Sequence, residues 1–186
     1  EAAPRRLLLL RVFGYQARTE SLFDRVAQSW RFHGPVQLIA GVDLAMRTAD
    51  PGDLLALLNG RLAELYVRTP EDVRNRIARL DLRTDPDGRF RINEVYCREN
   101  TWRPTLEALL DTTDIVLMDL RSFSASNAGC VFELEQLVDR LASDDIVFVC
   151  DQTTDLPLLR NILRGIWTTG RGTDRAQGVN RISVVR

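Results

Sequence analysis

The sequence predicts an α/β protein built on a parallel β-sheet, and three observations carry that prediction. Short apolar runs recur at residues 7–13, 36–42, 115–118, 146–150 and 182–185, with the length and continuity of strands buried on both faces. Helix-period segments separate most of them, the spacing that parallel neighbours require. Asp43, Asp119 and Asp151 each follow a run directly. Polar loops therefore collect at one end of the sheet, where open α/β sheets build ligand sites.

The first run is apolar except for Arg11, and Gly14 breaks it before a polar loop over residues 15–18. A helix is expected from about residue 20 to 30, with Leu22, Phe23, Val26 and Trp30 on one face. His33-Gly34-Pro35 stops it and leads into the second strand. Alternation then lapses over residues 44–100, which read as an insertion on the core sheet. Within it, Asp50-Pro51 and Thr69-Pro70 are capped helix starts, and Tyr66-Val67 is a short strand. Residues 80–84 and 90–96 flank Pro86-Asp87-Gly88 and predict a β-hairpin. Beyond the insertion come a helix near Leu106–Leu110 with Thr101 as its cap, the strand 115–118, and a helix over 132–141. The strand 146–150, a helix over 156–167 with Pro157 in its first turn, and the strand 182–185 complete the chain. A Gly/Arg-rich loop at 170–178 precedes that last strand. The five core strands fit the flavodoxin-like order 2-1-3-4-5 in three layers, with a helical and β-hairpin insertion.

Composition bounds the function. The 186 residues suit one domain with a self-sufficient core, and 45% hydrophobic and 27% charged residues are ordinary globular values. A net charge of −1, with no basic stripe interleaved with aromatics, argues against nucleic acid as partner. All 25 basic residues are arginine, which excludes lysine Schiff-base and P-loop lysine chemistry. Three cysteines without a CxxC pair, beside the single His33, argue against disulfides and a zinc site, and no metal is expected. Reduced thiols fit a cytoplasmic setting, and no run approaches the ~20 apolar residues of a spanning helix. Membrane attachment would have to come through segments outside these residues.

Glu133 is the residue to explain. It falls at the expected start of the helix that follows the 115–118 strand, and two readings are open. The helix dipole holds an ionised carboxylate at the bottom of a cleft, or an acidic residue merely complements that dipole. The segment Ser124-Ala125-Ser126-Asn127-Ala128-Gly129-Cys130-Val131-Phe132-Glu133-Leu134 resembles the Ser…Cys-x-x-Glu-Leu segment of TIR domains. Val12-Phe13-Gly14-Tyr15-Gln16-Ala17-Arg18-Thr19-Glu20 is similar to that family's opening strand and loop, and the order of elements agrees. Motif-level similarity covers roughly a third of the chain. Ser126 to Cys130 is one residue longer than in many TIR sequences, the opening motif is one residue shorter, and the 44–100 insertion replaces a short loop. Gly129 to Glu133 also has the Gly-x-x-x-Glu spacing of nucleoside deoxyribosyltransferases, which share the flavodoxin-like layout.

Both resemblances imply a glutamate acting at the anomeric carbon of a ribosyl unit, and the TIR resemblance implies NAD or a related nucleotide as substrate, with no further cofactor. Glu133 is then the catalytic residue of a single TIR-like α/β domain spanning residues 1–186. Arg18 and Arg121 are candidates to bind pyrophosphate, or else surface arginines. Tyr15 and Phe123 are candidates to stack on a base or nicotinamide ring, or else core aromatics. Ser126 and Asn127 would bond ribose or cap the helix. Asp119 belongs to the same loop edge and is a further candidate to bind substrate; with Asp43 and Asp151 it would hold Mg²⁺ or, as the better reading, cap helices or bond loop amides. The competing expectation is a non-catalytic signalling module of TIR-like type that self-associates or senses a nucleotide.

Overall fold

The computed structural model describes residues 3–12, 17–40, 66–169 and 183–185, with side chains described for all of these but 17–20, 169 and 183–185. The chain is α/β, with strands in the order β3-β4-β2-β1-β5-β6-β7, flanked by helices as in a flavodoxin-like three-layer fold. Here β1 is Leu7–Arg11, β2 Val36–Ala40, β3 Tyr66–Val67, β4 Ile92–Cys97, β5 Ile115–Asp119, β6 Ile146–Val149 and β7 Ser183–Val185. Removing β3 and β4 leaves the 2-1-3-4-5 order that the five core strands predict. The helices are α1 Ala17–Trp30, α2 Pro70–Ala78, α3 Trp102–Leu110, α4 Ala128–Arg140 and α5 Leu156–Thr169. The chain divides into two compact units. One holds residues 14–109 with 1–4, the other residues 5–13 and 110–186.

In the second unit β1, β5, β6 and β7 pair in parallel, in register Leu7↔Ile115, Val116↔Ile146 and Val147↔Ser183. Leu7 to Leu10 are all buried, as expected of a strand covered on both faces. The side chain of Asp114 fixes the start of β1 by accepting from the Arg6 N–H at 2.7 Å. Cys130, Leu134, Leu137 and Val138 form the buried stripe of α4 at helical spacing, and Glu133 lies within that stripe. Asp155 caps α5, its carboxylate accepting from the Leu158 N–H at 3.0 Å, which leaves Pro157 harmless in the first turn.

In the first unit β4 pairs in parallel with both β2 and β3. This corrects the hairpin expected over residues 80–96, of which a single antiparallel bridge, Thr84↔Phe90, is present. Gly88 turns the chain there with φ +78°, and its N–H donates to the Asp85 carbonyl at 2.9 Å. The first arm has no ladder because Asn93 pins it with one side chain. That amide accepts from the Asp81 N–H at 2.9 Å and donates to the Asp81 carbonyl at 3.0 Å. The second arm carries Val95, Tyr96 and Cys97, whose burial draws β4 into the sheet. The insertion thus extends the parallel sheet. The helix expected after Asp50 lies outside the described residues.

Two helix starts differ from expectation. Thr69 caps α2 in a reciprocal capping box with Asp72, but Thr101 does not cap α3 in that way. Its buried hydroxyl accepts from the Arg98 N–H at 3.0 Å and donates to the Val67 carbonyl at 2.9 Å, tying the start of α3 to β3. The helix expected from residue 132 begins at Ala128, so Glu133 sits in its second turn.

Candidate functional site

The carboxyl end of β5 is where the sequence places its candidate residues, and the structure sorts them by what each side chain does. Asp119 ends β5 and is 1% exposed. Its Oδ1 accepts from the Arg121 backbone N–H at 3.1 Å and from Nε at 2.8 Å, while Oδ2 accepts from Nη2 at 2.6 Å. The Arg121 pKa is raised, first by this hydrogen bonding and further by the charges of Asp119 and Asp151. Arg121 thus braces Asp119 at the position where a pyrophosphate contact was expected.

Asp151 follows the same rule. Its Oδ1 accepts from the Thr153 N–H at 2.8 Å and the Thr153 hydroxyl at 2.5 Å, bonding loop groups as anticipated for these aspartates. The loops after β5 and β6 are then stitched together. Thr154 donates from Oγ1 to the Leu120 carbonyl at 3.0 Å, the Ser122 N–H donates to Thr153 Oγ1 at 2.9 Å, and the Asp155 N–H donates to the Phe123 carbonyl at 3.0 Å. Ser122 is held at φ +64°, a left-handed conformation costly for a residue with a Cβ. Among the described residues no group of three or more His, Cys, Asp or Glu is placed to hold a metal ion.

Phe123 is buried at 1% exposure, so its ring is core and is not offered to a base. Asn127 occupies the N-cap position of α4, yet it makes no capping bond. Its Oδ1 instead accepts from the Ser124 N–H at 2.9 Å and the Ser124 hydroxyl at 3.2 Å. Ser126 pairs with Ser124 through their hydroxyls at 2.8 Å. Both expected capping roles are thus replaced by bonds that shape the loop. Tyr15, Asp43 and the side chain of Arg18 lie outside the described residues.

Glu133 is the exception to this saturation. It is 3% exposed, and its buried Oε2 has no hydrogen-bond partner among the described residues. Burial alone pushes its pKa up to about 8. The expected dipole-stabilised carboxylate in a first turn is corrected on both counts, because α4 begins at Ala128, four residues earlier than expected, and desolvation favours the neutral acid. Buried polar groups in folded proteins are overwhelmingly paired, so this carboxyl is a functional candidate on physical grounds.

The cysteines are not. Cys97, Cys130 and Cys150 are buried and form no disulfide. Desolvation pushes the Cys97 thiol up to about 11, against its hydrogen bond with the Thr105 hydroxyl, which lowers it. Such a thiol is inert at neutral pH.

The sequence reading missed a polar face on α2 in the other unit, where Asp72, Asn75, Arg76 and Arg79 line a cleft. Their spacing was the available signal. The fold and this edge define a flavodoxin-like α/β protein with a buried acid, unpaired at Oε2 among the described residues, in the helix that follows the β5 loop. No family model, no curated protein and no solved structure matches the chain.

Proposed function

We propose that the chain is a TIR-like domain that cleaves the N-glycosidic bond of NAD or a related nucleotide through Glu133. One observation carries the reading: a nearly fully buried carboxyl whose Oε2 is left without a partner among the described residues, in the helix that follows the loop at the end of β5. Two features support it further, the flavodoxin-like strand order and the Ser124–Leu134 segment that resembles the TIR catalytic segment.

The chemistry needs little else. Leaving nicotinamide departs neutral and asks for no general acid, while the ribosyl carbon becomes oxocarbenium-like and needs a negative charge beside it. A carboxyl poised near pH 8 is neutral in the empty protein and ionises when a pyridinium cation arrives, since an adjacent positive charge lowers an acid's pKa. Charge then appears at Glu133 in step with the substrate that uses it. The carboxylate stabilises the developing cation or captures C1′ covalently for later hydrolysis. Asp119 and Arg121 act as a brace for the loop and not as substrate ligands.

Incubation with NAD and measurement of free nicotinamide tests the reading. Wild type releases it, Glu133→Gln releases at least about a hundredfold less, as for loss of a transition-state charge partner, and the variant stays folded by circular dichroism. The free-protein profile of kcat/KM rises with pH through about 8. Equal release by wild type and variant removes Glu133 from the chemistry.

One observation favours a second reading, a non-catalytic module that self-associates. Leu22, Val26 and Trp30 of α1, with Arg25, Ser29 and His33, line an open and largely apolar groove of about 610 Å³. No nicotinamide release at protein concentrations where sedimentation shows a dimer supports this module over the enzyme.

A further inference from the structure

The unit that lacks Glu133 contains a second feature that neither reading uses. A cleft of about 450 Å³ runs along β3 and α2, lined by Tyr66, Val67, Arg68, Asp72, Asn75, Arg76 and Arg79. Its polar wall is one helix face, because Asp72, Asn75, Arg76 and Arg79 recur at the three- and four-residue spacing of a helix. Arg68 adds a third guanidinium from the segment joining β3 to α2. Arg76 and Arg79 against the single carboxylate of Asp72 leave the α2 face of the lining with a charge of +1.

The lone acid is already committed. Asp72 Oδ2 accepts from the backbone N–H groups of Arg68 at 3.1 Å and Thr69 at 3.0 Å. The hydrogen-bond donors of the wall are much less used. Arg76 donates from Nη2 to the Glu94 carbonyl at 3.0 Å, which anchors the guanidinium, while its buried Nε has no acceptor. The side chains of Asn75 and Arg79 take part in no hydrogen bond or ion pair among the described residues. Arginines at the end of α2 also complement its dipole, but a dipole does not require a buried N–H to go unpaired. Buried donors of that kind are rare, and the exposed side chains of Asn75 and Arg79 beside this one are open to an anion with several oxygens. The volume is that of a small-molecule site, and Tyr66 and Val67 supply an apolar wall beside the charges.

We infer that the cleft between β3 and α2 binds a phosphorylated small molecule, its phosphate oxygens received by Arg76, Arg79 and Asn75 and balanced by the excess positive charge of the lining. A guanidinium is suited to this because its fork matches two phosphate oxygens at once. The site is separate in residues from Glu133, so it is a binding function additional to the proposed reaction.

Isothermal titration of the full chain at low salt provides the test, with ADP, inorganic pyrophosphate and adenosine as probes. ADP or pyrophosphate binds saturably at one site, and added salt weakens the binding. Adenosine does not bind. Tighter binding of ADP identifies an organic phosphate as the occupant, and tighter binding of pyrophosphate identifies the free anion. Arg76→Gln and Arg79→Gln each weaken the binding about tenfold or more, the loss expected for a charge-assisted bond. The Arg79 side chain is exposed and unbonded among the described residues, so its variant keeps the fold even if Arg76→Gln does not. Glu133→Gln leaves the affinity unchanged, which separates this site from the catalytic reading. Absence of phosphate-dependent binding, or Arg79→Gln binding as tightly as wild type, overturns the inference.

Discussion

The end of β5 and the second turn of α4 bury one carboxyl each, and they treat it oppositely. Asp119 is 1% exposed and accepts three hydrogen bonds from Arg121, whereas Glu133 is 3% exposed and its buried Oε2 accepts none from the described residues. Equal burial therefore gives an ion pair in one place and an acid pushed towards neutrality in the other. The difference lies in local sequence. Asp119 has an arginine two residues ahead across a tight turn, while Glu133 is flanked on its helix face by Cys130, Leu134 and Leu137, none of which offers a strong hydrogen bond. A saturated acid contributes to the fold. An unsaturated one destabilises it and keeps its chemistry available, which is the pattern of functional groups in otherwise consistent structures.

The largest expected effect sets stability against pH. Glu133 has a folded pKa of about 8 against an ordinary value of 4.5. The folded state thus holds a proton that the unfolded state releases between those values. Stability is fully present below about pH 4.5, falls as pH rises towards 8, and is flat beyond. The upper bound on the loss is about 5 kcal/mol, at 1.36 kcal/mol per pH unit. Glu133→Gln removes this slope, so urea denaturation finds the variant increasingly more stable than wild type from pH 5 to pH 8. A constant difference over that range would mean that Glu133 is not held neutral by burial.

Asp119→Ala is the converse experiment. It leaves Arg121 largely buried beside Ser122 and Asp151 without its main partner, and breaking such a pair costs about 3 kcal/mol. The double variant Asp119→Ala/Arg121→Met recovers most of that loss, because removing both charges removes the desolvation penalty as well. Chemical denaturation of the single and double variants measures both numbers. A single variant as stable as wild type would show that the pair contributes nothing to holding the β5 loop.

The contrast between the two acids also explains how much was legible beforehand. The order of the core strands followed from continuous apolar runs such as Leu7–Leu10 and from helices between them, because hydrophobic periodicity is a local property. Residues 80–96 misled for the same reason. Asp87-Gly88 does turn the chain, but the partner of β4 was settled by burial of Val95, Tyr96 and Cys97 against distant strands. At the site, spacing singled out Glu133 but placed it in a first turn, because the apolar periodicity becomes continuous only from Phe132, whereas the helix starts at Ala128 directly after Asn127. The ties from Asp119 to Arg121 and from Thr154 to Leu120 depend on side-chain direction, which sequence spacing leaves open. Phe123 could be written as a stacking ring or as core, and only its burial decides between them.

The smallest effect concerns two helix starts that look alike in sequence. Thr69 and Asn127 are both good capping residues. Thr69 Oγ1 accepts from the Asp72 N–H at 3.1 Å, and the Asp72 carboxylate returns the bond to the Thr69 N–H at 3.0 Å. Those backbone and side-chain hydrogen bonds hold the Asp72 pKa below its ordinary value. Asn127 instead turns its carbonyl oxygen back to Ser124 and leaves the first amides of α4 without a side-chain cap. Thr69→Ala should cost about 1 kcal/mol, the usual worth of a helix cap, and should leave nicotinamide release unchanged. Asn127→Ala frees the Ser124 N–H that fixes the loop before Glu133, so on the catalytic reading it lowers nicotinamide release more than it lowers the unfolding midpoint. Thermal unfolding and the nicotinamide assay on the same two variants separate the cases. If Asn127→Ala costs stability as Thr69→Ala does and spares activity, the loop before α4 is scaffold alone, and the unpaired acid works without its help.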